Sequence, residues 1–234
     1  MTPSSLPAAP QLRLCDGPEH AAATVLLAHG AGAPIDSPFM ATIAAGLGRH
    51  GWRVVRFSFP YMARMVESGR RQGPDRLPVL QEALRDQVSL EWQAEPERPV
   101  IVAGKSMGGR VASLLVDELA AAGAVRACLC LGYPFHPPGK PLQLRTAHLA
   151  TLKTPTLILQ GERDPFGKRQ EVETYPLSAQ VQLSWIPSGD HSLKPTRSSG
   201  LNEADTLGMA VTACDGFIRR VLHGRPDSHV AVNS

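Results

Sequence analysis

Residues 100–112 read Val-Ile-Val-Ala-Gly-Lys-Ser-Met-Gly-Gly-Arg-Val-Ala. A short apolar run ends in Gly104, Ser106 stands between glycines, and a helix-forming stretch follows. This is Gly-x-Ser-x-Gly in a strand–turn–helix setting. A serine at so sharp a turn takes a sparsely populated backbone conformation that lifts its hydroxyl above the end of a sheet. Side chains two residues before or after it would collide, so glycine is required there. The serine also starts a helix, whose free N–H groups and positive dipole end face the hydroxyl. A plain strand-to-helix turn uses glycine in the same way, so the motif alone leaves nucleophile and turn both open.

The rest of the chain repeats the alternation of apolar run and helix. Short strands are expected at Gln11–Cys15, Thr24–Ala28, Arg53–Phe57, Val100–Ala103, Arg126–Leu131, Thr156–Gln160 and Val181–Ile186. Helices are expected over Pro38–Arg49, with Ser37 as cap, and over Val79–Trp92, Met107–Ala122 and Asn202–Leu222, with a short one at Lys168–Thr174. The stretch from Phe59 to Pro78 reads as irregular, and Gly132–Thr154 as a Pro- and Gly-rich loop with one helical turn. Interior strands that are continuous apolar runs imply an α/β chain with a mostly parallel sheet covered by helices on both faces. One domain over 12–222 is expected, between a flexible N-terminus at 1–11 and a flexible tail at 223–234.

Composition narrows the function classes. A net charge of +3 over 234 residues is too small to argue for nucleic acid. No apolar run approaches the roughly 20 residues of a membrane span. The N-terminal stretch lacks a basic start followed by a long apolar segment, so a cytoplasmic location is expected. The four cysteines show no metal-ligand spacing, and Cys128 and Cys130 would share one strand face as reduced core thiols.

In open α/β sheets, chemistry gathers at the carboxyl ends of the strands. The expected strand ends carry His29-Gly30-Ala31, Ser106, Asp164 and His191, and the last three follow the chain order Ser, Asp, His. Ser106 needs a base to take its proton, and His191 is the candidate. Asp164 would orient the imidazole, with Glu162 and Asp190 as competing carboxylates. The backbone N–H groups of Ala31 and Met107 would hold an oxyanion. His29 reads as shaping its turn.

With these residues in place, the sequence resembles the α/β-hydrolase superfamily over about residues 12–222. It looks most like a small branch without a cap domain, related to dienelactone hydrolase. The resemblance rests on His29-Gly30-Ala31-Gly32, Phe59-Pro60-Tyr61-Met62, Arg70-Arg71 to Arg76, Gly104–Gly109, Gly161–Asp164 and Gly189-Asp190-His191. It implies the α/β-hydrolase fold and a serine hydrolase for a small-molecule acyl ester or thioester. No metal or organic cofactor, nucleic acid or membrane is implied. Dienelactone hydrolases carry a cysteine nucleophile, and this chain has Ser106, so the dienelactone substrate does not carry over. The branch is also similar to a subunit of a histone-acetyltransferase complex, so a non-catalytic scaffold is the alternative.

The basic stretch with Arg64, Arg70, Arg71 and Arg76 is expected to emerge on the active-site side. Arg71 and Arg76 are candidate binders of a substrate carboxylate or phosphate. Pairing of these arginines with Glu67 or Asp75 in a solvated loop is the competing reading. The substrate, the oligomeric state and whether 132–154 covers Ser106 are left open by the sequence.

Overall fold

The computed structural model describes residues 12–224, so the expected 1–11 segment, Gln11 and the end of the tail lie outside the described residues. Seven strands form one sheet: β1 (Arg13–Asp16), β2 (Thr24–Ala28), β3 (Arg53–Phe57), β4 (Val100–Lys105), β5 (Val125–Leu131), β6 (Thr156–Gly161) and β7 (Val181–Ile186). Their order is β1-β3-β2-β4-β5-β6-β7. Only β1 runs antiparallel, along the β3 edge. The carboxyl ends of β2, β4, β5, β6 and β7 therefore fall on one rim.

Strand side chains alternate between two cores, because successive Cβ atoms point to opposite faces. Leu26, Val55, Val102, Cys128 and Ile158 face one side. There they meet α2 (Pro60–Ser68), α3 (Leu77–Ala94) and α4 (Met107–Ala121) through residues such as Tyr61, Leu84 and Val111. Val25, Val54, Ile101, Leu129 and Leu157 face the other. That side is covered by α1 (Pro38–Arg49) and α6 (Glu203–His223) through Met40, Ile43, Leu207 and Phe217. Each such side chain contributes roughly 1.5–3 kcal/mol on burial. Cys128 and Cys130 lie on the same face as free, buried thiols, their sulfurs 3.8 Å apart. No described helix is long and apolar enough to cross a membrane.

Four expectations are corrected. The segment after β3 is not irregular throughout: α2 occupies Pro60–Ser68, with Pro60 in its first turn and Gly69 closing it in a left-handed cap at φ 67°. The following helix begins at Leu77, two residues before Val79. Ser37 holds the N-cap position of α1, but its hydroxyl makes no capping hydrogen bond. At the other end of the chain, α6 starts from a capping box. The Asn202 side chain accepts from Asp205 N–H at 3.1 Å, and Asp205 accepts from Asn202 N–H at 2.8 Å. His223, read as the first tail residue, is the last residue of that helix.

Candidate active site

The turn between β4 and α4 is built on contact distance. A Cβ on Gly104 would stand 2.2 Å from the Gly108 carbonyl carbon. One on Gly108 would stand 2.6 Å from the Ala28 and His29 carbonyl oxygens. Only hydrogen fits at either place, so β2, β4 and α4 close tightly around Ser106. Ser106 itself sits at φ 52°, ψ −112°, a conformation an L-residue adopts only when its surroundings enforce it. Its hydroxyl is thereby aimed out of the rim.

The hydroxyl meets an imidazole. Ser106 Oγ lies 2.8 Å from His191 Nε2, and His191 Nδ1 lies 2.8 Å from Asp164 Oδ2. Asp164 follows β6 and is fully buried, while His191 follows β7. A carboxylate only accepts, so Nδ1 carries the ring proton and Nε2 is left to accept from the serine. Asp164 also accepts from Phe166 N–H at 2.8 Å and from Gln160 Nε2 at 2.9 Å. The Phe166 ring stacks on the imidazole with centroids 4.1 Å apart. The competing carboxylates are engaged elsewhere. Glu162 pairs with Arg169 at 3.0 Å and accepts from Ser188 N–H, and Asp190 accepts from the N–H groups of Ser192 and Lys194.

His29 is fully buried and lines neither cleft beside Ser106. Its Nε2 accepts from Phe59 N–H at 3.0 Å, which places the proton on Nδ1, 2.7 Å from the Gly30 carbonyl. Burial holds its pKa down at about 4, against a smaller opposing effect of the Gly30 hydrogen bond. The same turn is pinned by the Tyr61 hydroxyl, 3.1 Å from the Ala31 carbonyl oxygen. Met107 is the first residue of α4, so its N–H has no acceptor within the helix. Ala31 and Met107 both border the space beside Ser106.

Two clefts flank the serine. One, of about 310 Å³, is lined by Ala33, Phe39, Met40, Lys105, Phe166 and His191, among others. The other, of about 330 Å³, has Leu77, Leu80, Val111, Pro134, Arg110 and Arg145 in its wall. The long loop after β5 thus walls the second cleft through Pro134 and Arg145, and Ser106 stays half-exposed between the two.

Residues 21–219 match the alpha/beta hydrolase domain family. The chain belongs to that family. A lidless serine hydrolase of Xanthomonas campestris is 21% identical, at a TM-score of 0.66, with 94% of this chain and 93% of that chain covered. Dienelactone hydrolase of Anabaena variabilis is 19% identical, at 0.69, with 90% and 92% covered. A serine hydrolase homologue of Coxiella burnetii is 17% identical, at 0.66, with 90% and 91% covered. These likenesses establish a capless α/β-hydrolase fold over nearly the whole chain.

The basic stretch reaches the second cleft through Pro74 and Asp75, but its arginines line neither cleft. Arg64 sits on α2 and pairs with Asp75 at 2.6 Å. Arg71 and Arg76 are exposed and line neither cleft beside Ser106, so the structure does not bring these two candidates to the serine. Residues not proposed from sequence as site residues border it instead: Gln160 and Phe166 donate to Asp164, and Lys105, Arg110 and Arg145 stand in the cleft walls. Lys105 Nζ donates to the His191 carbonyl, and burial brings its pKa down to about 8. Arg110 falls four residues after Ser106, one helical turn on, a spacing that was visible in the sequence.

Proposed function

We propose that this α/β-hydrolase is a serine hydrolase that cleaves a small acyl ester or thioester. The observation that carries the reading is the continuous chain of two 2.8 Å contacts from Ser106 Oγ through His191 to Asp164. Ser106 Oγ attacks the acyl carbon as its proton passes to His191 Nε2. Asp164, held by Gln160 and Phe166, keeps the imidazole in the right tautomer and stabilises its charged form. The N–H groups of Met107 and Ala31 receive the oxyanion. The intermediate collapses, and the leaving oxygen or sulfur takes the proton from His191. Water then gives a proton to His191, attacks the acyl carbon and releases the acid, and Ser106 Oγ regains its proton. A non-catalytic scaffold has no use for a strained serine aligned with a base and a buried carboxylate, which weighs against the alternative.

The test is labelling with a fluorophosphonate probe, which reacts with a serine activated by its base. Wild type should label, and Ser106→Ala and His191→Ala should not. Folded wild-type protein that stays unlabelled, with neither ester nor thioester hydrolysed, would refute the reading.

A further inference from the structure

The second cleft beside Ser106 carries two arginines without an ion-pair partner among the described residues. Arg110 comes from the first turn of α4. Arg145 comes from the loop after β5, and its backbone is fixed on both sides. Its N–H donates to the Phe135 carbonyl at 2.8 Å, and its carbonyl accepts from the Tyr133 hydroxyl at 2.8 Å. Both side chains are half-buried. Among the described residues neither guanidinium makes a hydrogen bond or an ion pair, and Arg110 Nε is buried without a partner. The two charges also feel one another. After burial, the nearness of Arg110 is what lowers the pKa of Arg145. Like charges held together in a partly desolvated cleft are costly unless an anion sits between them.

Asp75 lines the same cleft, but its Oδ1 is taken by Arg64 at 2.6 Å. Its Oδ2 is a buried acceptor without a partner, which disfavours an anion on that side of the cleft. The remaining wall is aliphatic, with Leu77, Leu80 and Val111. The cleft therefore suits a short methylene chain that ends in a carboxylate, which a guanidinium fork binds bidentately.

The position of His191 orients the substrate. It lines the first cleft and not the second. The leaving group takes its proton from His191 and so departs on the first side, leaving the acyl chain to extend into the second. We propose that Arg110 and Arg145 form an anion subsite for the acyl chain, making the preferred substrate a monoester or monothioester of a dicarboxylic acid. The inference rests on the hydrolase reading of Ser106 and gives it a substrate class.

The experiment compares three esters by titration of released acid. They are monoethyl adipate, uncharged ethyl hexanoate, and the hexanoate ester of 3-hydroxypropanoate, which places the carboxylate on the leaving group. Monoethyl adipate should exceed ethyl hexanoate in kcat/KM by about tenfold or more, the worth of one charged hydrogen-bonded contact. That ratio should collapse in Arg145→Gln and Arg110→Gln, and Arg145→Lys should restore part of it. A ratio near one, with ethyl hexanoate hydrolysed, overturns the subsite and leaves the hydrolase standing. Preference for the 3-hydroxypropanoate ester overturns the assignment to the acyl side. If no ester is turned over, calorimetry with adipate decides. Saturable binding that Arg145→Gln weakens about tenfold supports the subsite without the hydrolase, and no binding overturns it.

Discussion

Gln160 Nε2 donates to Asp164 Oδ2 at 2.9 Å, the same oxygen that faces His191 Nδ1. The amide is fully used, since Nε2 also faces the carbonyls of Tyr133 and Gly167, and Oε1 accepts from Tyr133 N–H at 2.7 Å. One buried side chain thus ties the carboxylate to the end of β5 and to the loop that carries Phe166. Gln160→Leu leaves several buried polar groups unmatched and should cost about 1–3 kcal/mol in urea unfolding. It should also slow fluorophosphonate labelling of Ser106, because Asp164 loses a donor that holds its position. Gln160→Glu, which sets a second carboxyl beside Asp164, should slow it further. Labelling at the wild-type rate in both variants would show that Asp164 needs no such support.

The glycines of the elbow give a second expectation. Gly108→Ala drives a methyl against two carbonyl oxygens that belong to β2 and its following turn, and neither can yield without shifting the strand. Overpacking against backbone should cost about 3 kcal/mol or more in chemical denaturation. Gly208→Ala, in α6 with nothing within 4 Å of the added methyl, should instead stabilise by about 0.5–1 kcal/mol. Equal effects at the two sites would remove the steric account of the elbow.

The contrast between those glycines and Gln160 also shows what a linear reading reaches. The elbow, the apolar strands and the strand-end His and Asp are local signals, because a strand–turn–helix junction announces itself within a dozen residues. Gln160 stands at the end of the apolar run Thr156–Gln160, where it reads as one more strand residue. Its role appears only when β5 and β6 pair and bring Tyr133 to it. Arg145 lies in a loop whose path is set by Phe135 and Tyr133, contacts that no periodicity encodes. Arg71 and Arg76 were candidates because they follow a strand on the rim side. The intervening helix α2 was not foreseen, although Pro60 and Gly69 mark both its ends.

Lys105 carries a charge into the wall of the first cleft, where burial lowers its pKa from 10.5 to about 8, against the opposing pull of Asp164 and Asp190. Below pH 8 both folded and unfolded chains hold the proton, and the full desolvation cost is present. Between pH 8 and 10.5 the folded chain releases the proton while the unfolded chain keeps it, so this contribution stabilises as pH rises. Relative to Lys105→Met, wild type should gain about 2–3 kcal/mol between pH 8 and 10 in urea titrations. Parallel curves for the two proteins would show that the ammonium is not desolvated.

His29 acts in the acid range. Folded, it must be neutral, because its Nε2 accepts from Phe59 N–H and a protonated ring has no acceptor. Burial accordingly holds its pKa at about 4, below the usual 6.5. As pH falls through 6.5 the unfolded chain takes up a proton that the folded chain refuses until about 4. Stability is therefore lost across that window and levels off beneath it. The histidine accounts for about 3 kcal/mol of this loss, and His148, held at about 4 first by burial and then by Arg110, loses stability in the same direction. His29→Gln cannot take up this proton. Urea unfolding at pH 7, 5.5 and 4.5 should show wild type losing about 2–3 kcal/mol more than His29→Gln over the range. The loss at His148 should remain in both proteins. Identical slopes would mean that His29 titrates alike in the folded and unfolded chain, and that the hydrogen bond to Phe59 is not what fixes the turn beside Ser106.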